Sequence, residues 1–423
     1  MAEPLDKISF PTVFSYVFIS APILLYYFCV YWFGVNIPFW DDYDTLKQNI
    51  NFFSTDNISK QTSILFGQHN EHRIAFNRMV FVLFQLLFQK IDFKLLPLIG
   101  NSALIFLFLF YFKNLSNFKY KLFLLIPIAW ALFQLQNWRN MTWTIASLSN
   151  LHVLSFAAIS FYFLSKDQIN YYCLGFLFTF LAVFSQGSGM GILPVFWCYL
   201  LAIKKYKESF IWLIGVFILV TFYFMGYEKP GTHPSILESL KNQTQLWGYF
   251  FMFLGGIIFF SKKLAFFCGL TFFILFVYLT IKKYYLKKPS LFLFIAFLIL
   301  TGFIAALTRS GFGIEQALAP RYKIISILLS VSLYIFVAEW VFSSKKWNQT
   351  FLTFSFIISI TFYFFSFEIG LFNLKTHQIQ MIKGIKNWKE TKKGLAFPQQ
   401  KIANKTLLLA LKKGIYKLPR LVD

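Results

Sequence analysis

Eleven apolar runs, each long enough or nearly long enough to cross a bilayer as a helix, recur along this chain. They fall at about 12–34, 95–112, 122–136, 148–164, 171–185, 190–203, 209–227, 264–281, 290–307, 322–342 and 351–369. A hydrocarbon core of ~30 Å needs roughly 17–25 apolar residues in helical form. Composition agrees: 57% of the 423 residues are hydrophobic, 13% are charged, and 59 are Phe. A soluble domain averages about 25% charged residues, so so much apolar surface calls for lipid as a second solvent. The expected fold class is therefore all-α, a polytopic membrane helix bundle of about eleven spans. The first run is longer than a signal-peptide core and lacks a small-residue cleavage site, so it is expected to stay as the first span.

The four cysteines, Cys29, Cys173, Cys198 and Cys268, all lie inside apolar runs, and none forms a CxxC pattern. They are read as packing residues and not as a disulfide framework. The net charge of +23 could suggest nucleic acid. Its lysines flank the spans, however, which fits membrane orientation and lipid headgroups and excludes a nucleic-acid partner.

Charge density sets the orientation. The linkers 113–121, 165–170, 204–208, 282–289 and 343–349 carry 13 Lys/Arg in 35 residues. The alternate loops 36–94, 137–147, 186–189, 228–263 and 308–321 carry 13 in 124. The denser set is expected inside, which puts the long first loop outside. Two segments strain this scheme. Residues 246–260 are apolar enough to span, but a twelfth crossing would carry the KKYYLKK cluster outside, so a re-entrant or interfacial segment is expected. Residues 74–90 read as an interfacial helix flanked by Arg73, Arg78 and Lys90. The organisation is a membrane domain over 1–374 and a basic tail over 375–423, which the eleven-span scheme also places outside.

Polar chemistry collects in the expected outer loops. Six of the 17 acids lie in 36–94, and Asp41, Asp42 and Asp44 are packed directly after the first span. Clustered carboxylates at a membrane edge need water, a metal or cations, and mutual repulsion raises one pKa toward that of a general base. A solvated helix cap built from Asp41 or Asp42 is the structural alternative. A second cluster is Gln68-His69-Asn70-Glu71-His72-Arg73, in which Arg73 is the natural phosphate partner. It is not an HExxH motif. The third joins Arg309 to Arg321 and Tyr322, and arginines at membrane depth call for a phosphate or the interface. Gln136–Asn140 and Ser185–Gly189 end spans on the same face. Glu315, Glu339 and Glu368 are candidate partners for these arginines.

With these residues in place, the chain resembles the GT-C class of integral membrane glycosyltransferases. The likeness rests on the Asp41-Asp42-Tyr43-Asp44 signature after the first span, the Asn70-Glu71-His72-Arg73 element and the late Arg321-Tyr322. It covers about residues 10–370. The resemblance implies a polyprenyl-phosphate-linked sugar as donor and a cell-surface glycan or lipid as acceptor. It also implies a bacterial inner-membrane location, with the site on the external side. Asp41 or Asp42 would be the general base of an inverting transfer. Asp44, Glu71, His72, Arg73, Arg309, Arg321 and Tyr322 would bind substrate, and the need for a divalent metal is left open. Trp40, Trp138 and Trp143 are candidates to stack on sugar rings. A transporter or flippase of lipid-linked saccharide, or a polymerase or ligase of it, is the alternative. Its expected marks, mid-span polar residues and repeat symmetry, are not visible here.

Overall fold

The computed structural model describes residues 10–228, 234, 236–344 and 347–419, so Lys345 and Lys346 of one short linker and residues 420–423 of the tail lie outside the described residues. The chain is an all-α bundle whose one sheet, among the described residues, is a two-residue hairpin pairing Gln68 with Arg73 and His69 with His72. Each of the eleven apolar runs is helical. Among the described residues, eight helices are long and apolar enough to cross a membrane, Lys262–Ile281, Pro289–Phe312 and Pro320–Ser344 being three of them. The runs at 122–136, 171–185 and 190–203 form shorter helices, Lys121–Leu132, Ile169–Val183 and Ile192–Ala202. The chain is thus a helical membrane protein. Lys262–Ile281 alone exposes Leu264, Phe267, Ile274 and Ile281, an apolar face that water would not tolerate at this scale.

The two sets of loops segregate to opposite ends of the bundle. At the lysine-dense end, Lys288 Nζ donates to Asn114 O at 2.7 Å and pairs with Glu339 at 3.0 Å, while Lys205 pairs with Asp167. At the other end, Gln68 exchanges hydrogen bonds with the backbone of Glu228, and Asn140 Nδ2 donates to Arg321 O at 3.0 Å. The loops that share low charge density therefore share a place.

The segment 246–260 is a 12-residue helix, Gln243–Leu254, followed by a turn back into Lys262–Ile281. Its Leu246, Tyr249, Phe250, Phe253 and Leu254 are buried in the bundle, which shields its backbone from lipid. The hairpin closes by backbone contact. A Cβ on Gly255 would lie 1.8 Å from Ala265 O, and one on Gly269 would lie 1.8 Å from Phe251 O. Small residues at such positions let helices approach closely in lipid.

The tail is folded. The last apolar run belongs to a 44-residue helix, Asn348–Thr391, about 66 Å long at 1.5 Å per residue, so its C-terminal half projects beyond the bundle. The 374/375 boundary falls inside it. It ends at Lys392, which has φ +59°, and Trp388 Nε1 donates to Asn404 Oδ1 at 2.7 Å to fold the chain back. The helix Gln400–Lys412 then packs on Asp42–Phe52 of the first loop. Tyr43, Leu46 and Ile50 share a second core with Ile385, Trp388, Leu407, Ala410 and Tyr416. Tyr416 Oη donates to Asn36 O at 2.6 Å, and Ile91 N donates to Ile415 O at 2.8 Å. First loop and tail lie at the same end of the bundle.

Helix Ala75–Phe88 buries Phe81, Val82 and Phe84 and exposes Leu83, Leu86, Leu87 and Phe88, the split an interfacial helix needs. Its flanking arginines do not sit in headgroups, because Arg73 and Arg78 are both buried.

Gly269→Val should open the hairpin between Gln243–Leu254 and Lys262–Ile281. Thermal unfolding of purified protein in detergent should show a clear loss of Tm, and Gly256→Ala, whose added Cβ would meet its nearest neighbour at an ordinary 3.4 Å, should show little.

Candidate functional site

Four loops converge on one polar cavity of about 340 Å3. Its wall takes Trp40 and Asp41 from the end of the first span, and His69 to His72 from the hairpin. Trp143, Ser149 and Asn150 come from the fourth run, Gln186 from the next loop, and Arg309, Arg321 and Tyr322 from the late spans.

The first loop enters through a strained turn. Trp40 has φ +47°, a conformation that costs a bulky residue on the order of 1–3 kcal/mol and that tends to mark functional sites. Trp40 N donates to Ala396 O of the tail at 2.8 Å, which holds the turn. The two aspartates that follow point different ways. Asp41 lines the cavity, half-buried, with a carboxylate oxygen 3.7 Å from His69 Nε2. Asp42 is buried, with 1% exposure, and does not line it. Its carboxylate accepts from Phe39 N and from Ile145 N, both at 3.0 Å. It therefore caps the N-terminus of the helix beginning at Thr144, 103 residues away, in the place an ordinary N-cap side chain would take. Burial pushes the Asp42 carboxyl up to about 8, against the pull of the Phe39 and Ile145 N–H groups. Asp44 sits behind His69, half-buried and outside the wall, and burial raises it also, opposed by the His69 ring.

The hairpin brings the second cluster to the cavity. Asn70, at φ +49°, makes its turn, a position that Asn tolerates better than most residues. Glu71 Oε1 accepts from Arg309 Nη2 at 2.5 Å and lies 3.5 Å from His72 Nε2. Gly187 makes room for this histidine, since a Cβ there would stand 2.8 Å from His72 Nδ1. Arg73 faces away from the cavity. Its guanidinium donates to Tyr223 O, Phe66 O and Met225 O at 2.5–2.6 Å, closing the C-termini of two helices. Arg78 does the same for Ile64 O and Gly67 O at 2.6 Å. The phosphate partner expected in Arg73 is thus a structural clamp with its donors occupied.

Arg309, Arg321 and Tyr322 meet in the wall as expected, but not with the expected acids. Glu315 pairs with Lys262, and Glu339 with Lys287, Lys288 and Tyr284 at the far end. Arg321 Nη2 donates to Tyr322 Oη at 3.0 Å.

Two wall residues, Ser149 and Asn150, escape sequence reasoning. Gln186 Nε2 donates to Asn150 Oδ1 at 2.8 Å, and Asn150 Nδ2 donates to Asn140 Oδ1 at 3.0 Å, so a polar chain runs across the cavity floor to Arg321 O. Ser149 and Asn150 reach it because the helix widens into a π-turn over Ser147–Leu151, a distortion frequent at functional sites. The signal was present as Ser147, Ser149 and Asn150 beside an apolar run. Among the described residues, no three His, Cys, Asp or Glu side chains are grouped closely enough to hold a metal ion.

A second cavity, about 520 Å3, shares Glu71, His72, Asn150, Gln186, Arg309, Arg321 and Tyr322 with the first. Beyond that shared wall it is largely apolar, lined by Val153, Leu154, Phe253, Ile304, Ala305 and Ile325. The site therefore has a polar chamber, a greasy chamber and two arginines at their junction. No protein-family model, curated protein or solved structure matches this chain.

Two outcomes follow. Arg73→Gln should leave buried carbonyls without donors and cost roughly 3 kcal/mol, read as a lower Tm, and Arg73→Lys should rescue little because an ammonium lacks the fork. The raised Asp42 carboxyl contributes stability below its unfolded value of 3.8 and loses it as pH rises through about 8. Asp42→Asn should flatten the fall in Tm between these pH values relative to the wild type.

Proposed function

We propose that this protein is a membrane glycosyltransferase of the GT-C type. It moves a sugar from a polyprenyl-phosphate donor to a cell-surface glycan or lipid acceptor, with inversion, at the external face of a bacterial inner membrane. The observation that carries this reading is the union of the two cavities. A polar chamber that opens through Arg309 and Arg321 into an apolar one has the form of a sugar, a phosphate and a lipid chain joined in that order. In this reading all eleven runs cross, 246–260 does not, and first loop and tail share the outer face. An odd number of crossings is what a shared end requires.

Asp41 is the general base. Its carboxylate borders the chamber while Asp42 is committed to backbone N–H groups, so the choice between them falls on Asp41. The acceptor hydroxyl gives its proton to Asp41 as its oxygen forms a bond to the anomeric carbon. On the opposite side the bond from that carbon to the phosphate oxygen breaks, and its electron pair leaves with the polyprenyl phosphate. Arg321 and Arg309 stabilise the charge that develops there, in a site where water is partly excluded. Glu71 holds Arg309 in place, and Glu71 and His72 are within reach of sugar hydroxyls. Asp42 and Arg73 position the loop that carries these groups.

The test is transfer of labelled sugar from polyprenyl-phosphate donor to membrane acceptor, with compositional analysis of the surface glycan. Asp41→Asn should lower transfer by about 10²–10⁴-fold at unchanged expression and Tm, the range for loss of a general base. Full transfer by Asp41→Asn would sink the assignment. A saccharide transporter would instead alter the distribution of lipid-linked sugar across the bilayer and leave no transfer to measure.

A further inference from the structure

The reaction just described makes no use of Arg139, which lies beside the cavity wall. Its neighbour Asn140 bonds to Arg321 O, and Trp143, one helical turn on, lines the cavity. Arg139 is an exposed residue whose guanidinium is partly enclosed, 5.2 Å from the Trp138 ring. Among the described residues neither Arg139 nor Arg321 has a carboxylate partner, whereas Arg309 is neutralised by Glu71. Burial, and then the charge of Arg321, pull Arg139 below the usual arginine range, so the two guanidiniums feel each other. An added anion would relieve that repulsion.

The surroundings extend the same chemistry. His377, from the long last helix, packs edge-on against Phe39 at 4.8 Å and near Trp138 at 5.7 Å. From His377 the chain enters the folded tail. Between residues 375 and 419 it carries eleven lysines, ten of them exposed, and Glu390 as its one acid. The tail touches the cavity rim where Trp40 bonds to Ala396. Aromatic faces with guanidiniums beside them suit a charged sugar, and a lysine-bearing surface leading away suits a ligand with repeated charges.

We propose that the acceptor is an anionic glycan, bearing phosphodiester or carboxylate groups. Its reacting end is held at Arg139, beside the cavity wall, and its continuing chain lies along the tail lysines. The word acceptor rests on the glycosyltransferase reading; the anionic ligand does not. Arg139 borders neither chamber, while the apolar chamber meets the polar one at Glu71, His72, Arg309 and Arg321. The donor thus approaches from the lipid side, and Arg139 belongs to the opposite approach.

The experiment measures binding without turnover. Full-length protein in phosphatidylcholine nanodiscs is titrated with labelled oligomers of poly(glycerol phosphate), of polygalacturonate and of neutral dextran. At least one anionic oligomer should bind ten-fold or more tightly than dextran and weaken as salt rises. The one that binds distinguishes phosphate from carboxylate. Arg139→Gln, checked for wild-type Tm, should weaken that binding roughly ten-fold, with partial return in Arg139→Lys. Equal binding of charged and neutral oligomers, or wild-type affinity in Arg139→Gln, would overturn the proposal. So would loss of oligomer binding when the discs contain phosphatidylglycerol, because the lysines would then serve anionic headgroups. Binding that persists in a protein without transfer activity would overturn the glycosyltransferase reading and leave the anionic ligand standing.

Discussion

Buried guanidiniums hold the site end of this protein together. Arg73 and Arg78 come from the first loop and spend their donors on carbonyls that helix ends leave bare: Ile64, Phe66 and Gly67 of the first loop, Tyr223 and Met225 of a span far along the chain. Unmet carbonyls buried in a low-dielectric setting are costly, and a planar fork meets several at once. The hairpin between these two arginines and the acidic turn can present Glu71 and His72 only because its base is fixed in this way. Asp42 performs the complementary task as a hydrogen-bond acceptor, capping the donors of the helix at Thr144. Two arginines close helix C-termini and one aspartate closes an N-terminus, and the remaining ionisable groups are left to face the cavity.

Much of this was legible before the structure. The apolar runs gave helices because a span needs only length and hydrophobicity, and the alternation of lysine density predicted which loops would meet. Asp41, Glu71, His72, Arg309, Arg321 and Tyr322 did come together. What the sequence could not supply was direction. Asp41 and Asp42 are adjacent and alike, and only the helix at Thr144, packed against one of them, separates a cavity wall residue from a cap. Arg73 reads as a phosphate ligand because nothing local shows that three carbonyls surround it. The partner of Arg309 was Glu71 and not Glu315 or Glu339, since pairs formed across more than two hundred residues leave no spacing to read. Ser149 and Asn150 belonged to a span by composition and reached the cavity through a π-turn.

The tail was the largest surprise, and its reason is compositional. A segment with eleven lysines reads as solvated, yet Ile385, Trp388, Leu407, Ala410 and Tyr416 recur at helical spacings among them. Such thinly amphipathic stretches are hidden beneath net charge. Their apolar face has a single place to go, the matching face of Asp42–Phe52. The lysines remain outside that contact and give the site end its basic rim.

The docking of the tail on the first loop also imposes an order on biosynthesis. The loop carrying Asp41 leaves the ribosome more than three hundred residues ahead of the tail surface that completes its core. Until Trp388 to Tyr416 arrive, Tyr43, Leu46 and Ile50 lack one side of their core, and the Trp40 turn lacks its bond to Ala396. The bundle can insert span by span as it emerges. The cavity acquires its geometry only when Gln400–Lys412 has joined the same face, so a chain cut short before that helix would be inserted, spanning and without a finished site.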